Sequence, residues 1–167
     1  LSGGPGDDHV LNGGFVNADL SGGDGNDSVV NFGGAFVSQL YGGAGSDTVL
    51  NGGYLLGTAY GADDGDLLVN YGGAQATALN GGPGADALYN WGYLVAGLDG
   101  ETGSDYLQNA AYAYAGGVTL GEGDDQFVNG GYVGGSVGCG AGADLISVGG
   151  LVAGGITCGE GNDTIYI

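Results

Sequence analysis

The sequence predicts an all-β fold: a parallel β-solenoid of about nine coils, each of 19 or 20 residues, forming one repeat domain over residues 1–167. Aspartates recur at steps of 19 or 20 residues, and a fixed period of this length is typical of stacked repeat architectures. Apolar residues and asparagines recur in step with them. One period therefore predicts one coil. The recurring aspartates are Asp8, Asp27, Asp47, Asp66, Asp86, Asp105, Asp125, Asp144 and Asp163.

Two apolar columns predict where each coil forms its strands. The residue two positions after each aspartate is always apolar, from Val10 to Ile165, and so is the residue seven positions before each later aspartate, from Leu20 to Ile156. Short apolar segments bounded by glycine-rich turns are typical of strands. We therefore expect two short strands per coil, which share one thin core, with the Gly-Asp turns on one edge.

An asparagine column marks the other edge of the predicted coil. It lies four residues after each aspartate and ends where Val148 takes its place. An asparagine at a turn can bond its own backbone and its stacked neighbour, so we interpret the column as a structural hydrogen-bonded ladder. Glycine pairs follow it, from Gly13-Gly14 to Gly149-Gly150, as bend residues with left-handed torsions. The ladder residues are Asn12, Asn31, Asn51, Asn70, Asn90, Asn109 and Asn129.

The solvent-facing strand positions are expected to be apolar on both broad faces. Strand alternation places Leu11, Val30, Leu50, Val69, Tyr89 and Val128 outward on one strand, and Phe15, Tyr54, Tyr93, Tyr132, Val37, Leu56 and Val95 outward on the other. After the bend, aromatic residues alternate with Ala35, Ala74 and Ala113. Apolar faces of this length predict packing against further copies or against a flanking domain.

The charge balance excludes several classes of partner. The chain has 19 acidic residues, no lysine and no arginine, which gives a formal net charge of −19. Nucleic acids and anionic lipids are poor partners, because binding them requires basic side chains. No apolar run is long enough to predict membrane insertion. Cations are the expected partners.

The acidic turns are the candidate functional site. Carboxylates stacked at about 4.8 Å would repel each other by roughly 1 kcal/mol per pair even in water. Because the chain has no lysine or arginine to compensate them, an external cation is expected. Carboxylate and main-chain carbonyl oxygens suit a hard cation of calcium's size better than magnesium, which holds its waters more tightly.

The turns resemble the glycine-rich nonapeptide repeats of the repeats-in-toxin (RTX) proteins. Gly22 to Val29 and Gly42 to Val49 match that pattern throughout, and Cys139 to Thr157 follows a 19-residue variant found in a bacterial ice-binding adhesin. The resemblance implies several Ca²⁺ ions between successive turns, in up to eight sites. Asp64 in place of a glycine and Leu120 in place of the first glycine depart from the pattern. Besides the nine aspartates, the expected metal-binding residues are Gly4, Gly6, Gly23, Gly25, Gly43, Gly45, Gly82, Gly84, Gly103, Gly123, Gly142, Gly161 and Asp24.

Ice binding itself is not expected to transfer. In the ice-binding repeats the outward turn positions form a regular Thr and Asn ladder, whereas here the first of them varies from Pro5 through Asp24 and Ala44 to Glu160. Cys139 and Cys158 take the same place in adjacent coils, at a spacing that permits a disulfide without requiring one.

The expected function is a secreted, calcium-stabilised structural β-solenoid that self-associates, through its apolar faces and coil ends, in an extracellular fibre or surface assembly. The alternative is a calcium-dependent repeat region of an adhesin that binds ice, carbohydrate or a cell surface. An enzyme is not expected, because no residue stands out from its column as a catalytic constellation requires. The repeats are also expected to belong to a longer chain or polymer.

Overall fold

The computed structural model describes all residues from Leu1 to Ile167 and contains 22 β-strands and no helix. Nine strands form one sheet: β2 (His9–Asn12), β4 (Ser28–Asn31), β7 (Thr48–Asn51), β10 (Leu67–Asn70), β12 (Ala87–Asn90), β14 (Tyr106–Asn109), β16 (Gln126–Asn129), β19 (Leu145–Val148) and β22 (Thr164–Tyr166). Thirteen form the other: β1 (Ser2–Pro5), β3 (Leu20–Asp24), β5 (Phe36–Val37), β6 (Leu40–Ala44), β8 (Tyr54–Leu55), β9 (Thr58–Asp63), β11 (Gln75–Pro83), β13 (Tyr93–Thr102), β15 (Tyr114–Glu122), β17 (Tyr132–Val133), β18 (Val137–Ala141), β20 (Leu151–Val152) and β21 (Ile156–Thr157).

Every strand pairs in parallel with the matching strand of the next coil. In the nine-stranded sheet the strands stack in chain order, and Leu68, for example, pairs with Val49 on one side and Leu88 on the other. The acidic turns join the thirteen-stranded sheet to the nine-stranded sheet, and the asparagine turns lead back. The predicted parallel β-solenoid of nine coils is confirmed.

The core is a thin layer between the two sheets. Both predicted inward columns are buried along the stack, and only their end members Val10, Ile156 and Ile165 are partly or largely exposed. A third buried column was not predicted: Val37, Leu55, Ala76, Leu94, Ala115 and Val133. The outward assignment of Val37 is therefore wrong, because this side chain is fully buried and pairs in register with buried Leu55.

The predicted alternation of aromatic residues with alanines is also wrong. Ala35, Ala74 and Ala113 are buried, and the next residue takes the outward position in each of these coils. Phe36 stacks on Phe15, with ring centroids 4.5 Å apart. The resulting column, called here the aromatic column, is nearly continuous: Phe15, Phe36, Tyr54, Gln75, Tyr93, Tyr114 and Tyr132, ending at Leu151.

Compensating length changes explain the error. A 20-residue coil has two more residues between its asparagine and the aromatic column than a 19-residue coil, as Asn31 to Phe36 shows against Asn12 to Phe15. It then has one residue fewer in the following strand, where the register shifts between Ala76 and Ala78. Counting residues back from the next aspartate alone therefore assigns the segment between the bend and the register shift to the wrong face, and counting forward from the asparagine alone does so for the residues after the shift.

Wide and tight bends alternate at the asparagine edge. The wide bends contain Phe32, Tyr71 and Ala110, each of which accepts a hydrogen bond from the amide three residues later. Left-handed torsions occur in this edge only at Gly34, Gly73 and Tyr112, so the prediction of left-handed bend glycines holds only for the first two. Glycine is needed in the tight bends for another reason. A Cβ on Gly53 would lie 2.3 Å from the Ala35 carbonyl oxygen of the neighbouring wide bend.

The asparagine ladder forms as predicted. Each side-chain amide donates to the Oδ1 atom of the asparagine in the next coil over 2.8–3.0 Å, from Asn12 to Asn129. Asn90 Oδ1 also accepts from the amide of Gly92. Buried amides of this kind are stabilising only while both donors and acceptors are satisfied.

Replacement of Asn70 by alanine is expected to destabilise the protein by about 2–4 kcal/mol, because it removes two ladder bonds between fully buried groups. Asn12→Ala is the matched control. It lies at the end of the ladder and loses one ladder bond, to Asn31, together with part-buried bonds to the Phe36 carbonyl oxygen and from the Gly14 amide, and should cost roughly 1–2 kcal/mol. Urea unfolding midpoints measure both, and a smaller loss for Asn70→Ala than for Asn12→Ala would contradict the ladder's stabilising role.

Cys139 and Cys158 are joined by a disulfide across adjacent coils, with Cα atoms 4.6 Å apart. The bridge that the sequence permits is thus formed. The structure has no helix that could span a membrane.

Candidate metal-binding edge

The repeated aspartates form one column along the acidic edge of the solenoid. Each lies directly before a strand of the nine-stranded sheet, as Asp27 precedes β4, and its side chain turns inward. The first glycine of the turn leaves room for it: a Cβ on Gly22 would lie 2.2 Å from Asp27 Oδ2. Asp27 through Asp144 are at most 4% exposed. The structure therefore brings the predicted aspartates together in register.

One carboxylate oxygen of each aspartate joins neighbouring coils. The backbone amide of Asp8 donates to Asp27 Oδ1 over 2.7 Å, and the same bond recurs in every coil up to Asp144 and Asp163. Carboxylates bonded to backbone amides in this way stabilise the stack and fix the side-chain orientation. The second oxygen is thereby also fixed.

The second oxygen, Oδ2, has no hydrogen-bond partner in eight successive coils. It is buried in Asp8, Asp27, Asp47, Asp66, Asp86, Asp105, Asp125 and Asp144. An unpaired buried carboxylate oxygen costs several kcal/mol unless it binds a proton or a cation. Eight of them in one row are not compatible with a charged, uncompensated column.

Burial accordingly raises the carboxyl pKa values in the middle of the column. The pKa of Asp66 rises to about 7 mainly because of burial, although the Asp47 amide lowers it and neighbouring carboxylates raise it further. The pKa of Asp105 also rises to about 7, and that of Asp86 to about 6. Burial raises the pKa of Asp47 as well. These carboxyls therefore take up a proton readily when no cation is bound.

Main-chain carbonyl oxygens of the same turns are a second set of unpaired groups. The carbonyl oxygens of Gly6, Gly25 and Gly45 accept no main-chain hydrogen bond, and neither do their counterparts Gly84, Gly103, Gly123 and Gly142. They point along the stack, since a Cβ on Gly25 would lie 2.5 Å from Gly6 O. Seven turns thus have both a buried carboxylate oxygen and a free glycine carbonyl oxygen.

This donor set fits a hard cation only if the main chain contributes. No three acidic, histidine or cysteine side chains converge on one point. A cation at this edge would therefore take carboxylate oxygens from the aspartate column and the remaining oxygens from turn carbonyls or water, as Ca²⁺ does readily. The residues present fit such an ion on both charge and ligand type.

Two positions of the turns depart from glycine with left-handed torsions. Ala62 has φ 89° and Glu101 has φ 72° at the position of Gly23 and Gly43, and Asp64 has φ 74° where Gly25 and Gly45 normally lie. The prediction that Asp64 replaces a turn glycine is confirmed. These torsions are unfavourable for residues with a Cβ.

Ala62→Gly is expected to stabilise the protein by about 0.5–1 kcal/mol, since the strain relieved exceeds the chain entropy that glycine adds. Gly82→Ala, one coil further along the same column, is the opposite change. It should cost about 2 kcal/mol or more, because φ is 103° and the new Cβ would lie 2.2 Å from the Ala62 carbonyl oxygen. Thermal unfolding measures both, and a stabilising Gly82→Ala would contradict the argument.

The last coils fill the space beside the aspartates differently. Leu120, Cys139 and Cys158 replace the first glycine of the turn, and both Leu120 and Cys139 are fully buried in the core. Asp125 and Asp144 nevertheless keep the unpaired Oδ2 atoms. Apolar groups therefore line the carboxylate column from Leu120 onward, a difference that the sequence showed as a departure without revealing where the side chains go.

The outward turn residues do not join the buried column. Asp24 is exposed, as are Ala44, Asp63, Glu122 and Glu160 at the equivalent positions. The expected role of Asp24 in metal binding therefore has no support from its side chain. The irregular outward row is also consistent with the absence of a Thr and Asn ladder.

Comparison of the chain with known protein families, with curated proteins and with solved structures gives no significant match.

Proposed function

We propose that the protein is a calcium-stabilised structural β-solenoid that self-associates in an extracellular fibre or surface assembly. The observation that carries the calcium proposal is the row of eight buried, unpaired aspartate Oδ2 atoms in a chain without lysine or arginine. The resemblance of the turns to RTX repeats agrees with it. Calcium supplies the positive charge that the chain lacks.

The ions would be held by the aspartates of the column, Asp8 through Asp144, with the carbonyl oxygens of turn glycines such as Gly25 and Gly103. When bound, calcium neutralises the carboxylates and links consecutive turns. The chain's own part is to hold the carboxylates in register through the Oδ1 bonds and to exclude bulk water from Oδ2. Metal binding would then be coupled to folding.

Self-association is supported by the surface of the stack. Large apolar side chains remain exposed on both sheets, for instance Leu56, Tyr54 and Val95 on the thirteen-stranded sheet and Leu11 and Leu67 on the nine-stranded sheet. Exposed apolar surface of this extent is typical of interaction sites. The stack itself is long and repetitive, which suits a structural element.

Electron microscopy of the purified protein with calcium and after chelation tests the proposal. Ordered filaments or sheets that dissolve on chelation are the expected result. Metal analysis of the washed protein is expected to give several Ca²⁺ ions per chain, up to eight. Protein that remains dispersed with calcium bound contradicts the structural assembly while leaving the calcium sites intact.

The second candidate function is the repeat region of an adhesin, and the aromatic column favours it. The column is a regular exposed row that differs chemically from the rest of the surface. Its rings stack on each other, however, as Tyr93 and Tyr114 do at 4.6 Å, so their edges rather than their faces are available to a ligand. Dispersed particles that bind a carbohydrate or cell surface only with calcium would support this candidate.

A further inference from the structure

We infer that the protein self-associates through the outer side of the nine-stranded sheet, packed against the same side of a second copy. This inference rests on the proposed self-association and names its surface. The surface is called here the flat face. It consists of the first and third residues of the nine strands: His9, Leu11, Ser28, Val30, Thr48, Leu50, Leu67, Val69, Ala87, Tyr89, Tyr106, Gln108, Gln126, Val128, Leu145, Ser147, Thr164 and Tyr166.

The flat face carries no carboxylate, although the chain has 19 acidic residues and a net charge of −19. The acids are concentrated at the turn edge, and the outer side of the thirteen-stranded sheet includes Asp99, beside Glu101. Two copies of so acidic a chain repel each other wherever carboxylates would meet. The flat face is the broad surface on which they can approach without that repulsion.

Regular strand pairing makes this face even. All nine strands pair without a register shift, from β2 with β4 to β19 with β22. The thirteen-stranded sheet instead has register shifts in β11 and β13. Near these shifts, exposed side chains such as Leu56 and Val95 occur in some coils and have no counterpart in others. An uninterrupted row pattern can pack against another along its whole length, whereas an irregular one cannot.

The period of the rows favours a second copy over another kind of partner. Side-chain rows on the flat face repeat at the strand spacing of about 4.8 Å. A second solenoid with the same spacing can interdigitate with every row, as in the dry interfaces between stacked sheets. A basic partner would find no carboxylate here to pair with.

The area is sufficient for a specific interface. Strands of four residues are about 13 Å wide, and nine coils extend for about 43 Å, which gives roughly 560 Å² per copy. Two copies would bury about 1,100 Å² in total, which is above the roughly 1,000 Å² expected of a biological interface and within the range of weak, transient ones. A flat contact of this area without carboxylates, in which eleven of the 18 residues are aliphatic or tyrosine, is consistent with a reversible lateral association.

The test attaches a bulky group to one face at a time after the protein has folded. Thr48→Cys places a thiol on the flat face, and Thr58→Cys is the matched control on the thirteen-stranded sheet. Both native cysteines are bridged, so the new thiol is the only one that reacts with a maleimide-polyethylene glycol. Sedimentation with calcium then measures the assembled fraction, and circular dichroism confirms that the labelled proteins stay folded.

Label at Thr48→Cys is expected to weaken assembly by roughly tenfold or more, and label at Thr58→Cys to leave it unchanged. Leu67→Asp and Leu56→Asp, on the same two faces, should repeat this result without a label. Loss of assembly with the Thr58→Cys label alone, or with both labels, overturns the flat-face interface while self-association stands. An unlabelled protein that stays monomeric with calcium bound overturns both the self-association and the flat-face interface between copies. The flat face would then bind a different partner.

Discussion

Removal of calcium is expected to lower the melting temperature by roughly 10–20 °C. A site at a hundredfold excess of ligand over its dissociation constant contributes about 2.7 kcal/mol, so two such sites already give a shift of this size in a chain of 167 residues. The physical reason is the row of unpaired Oδ2 atoms: without calcium the adjacent carboxylates either stay charged and repel each other or must take up protons. Differential scanning calorimetry before and after chelation measures the shift.

Asp66→Asn is the variant that ties this shift to the column. The amide keeps an acceptor oxygen for the Asp47 backbone amide and removes one buried negative charge. It should raise the stability of the metal-free protein and reduce the gain on adding calcium. Asp24→Asn removes the same charge from an exposed turn position and should change neither value appreciably. An equal melting temperature with and without calcium would rule out the metal-binding column.

Acidification is expected to stabilise the metal-free protein and to destabilise the calcium-loaded one. The pKa values of Asp66 and Asp105 in the folded protein are about 7, above the usual carboxyl value of 3.8, because burial disfavours the charged form. The folded state then binds more protons than the unfolded state between pH 4 and pH 7, so metal-free stability falls as the pH rises through this range. Protons and calcium compete for the same oxygens, so acid releases the metal.

Thermal unfolding at pH 5 and pH 8, with calcium and with chelator, gives the four values that decide this prediction. The two samples are expected to respond to pH in opposite directions. The chelated protein should have a higher melting temperature at pH 5 than at pH 8, and the calcium-loaded protein a higher melting temperature at pH 8 than at pH 5. Asp66→Asn should flatten the pH dependence of the chelated protein, whereas Asp24→Asn should retain it. A chelated protein that is most stable at pH 8 would show that the column carboxyls are charged and compensated without calcium.

The columns that the sequence predicted correctly are those defined by their distance from a single marker. Leu68 and Asn70 lie at fixed steps in one short strand, with Asp66 directly before it, and each occurs in register with its neighbours. Spacing within a strand cannot vary without moving a side chain to the opposite face. In this part of the coil, the number of residues after the aspartate therefore determines which face of the strand a side chain occupies.

The part that the sequence misplaced lies where two length changes offset each other. Val37 lies inward instead of outward, and Phe36 takes the outward position instead of Ala35, because the wide bend adds residues and the following strand loses one. The coil length of 20 residues shows only the net gain of one residue, and not where residues are added or lost. The unpaired carbonyl oxygens and the inward direction of Oδ2 could not be predicted either, since they depend on how one turn lies over the next.

The alternation of wide and tight bends limits how such a chain can change length. A tight bend such as that at Gly53 nests against the carbonyl groups of a wide one, so duplication or deletion of a single coil would bring two bends of the same kind into contact. Coils can be added or removed most easily in pairs, one of 19 and one of 20 residues. The alternation stops where two 19-residue coils follow each other, and the Cys139–Cys158 bridge joins these same two coils. A covalent link thus lies at the one step of the stack where the nesting of unlike bends is missing.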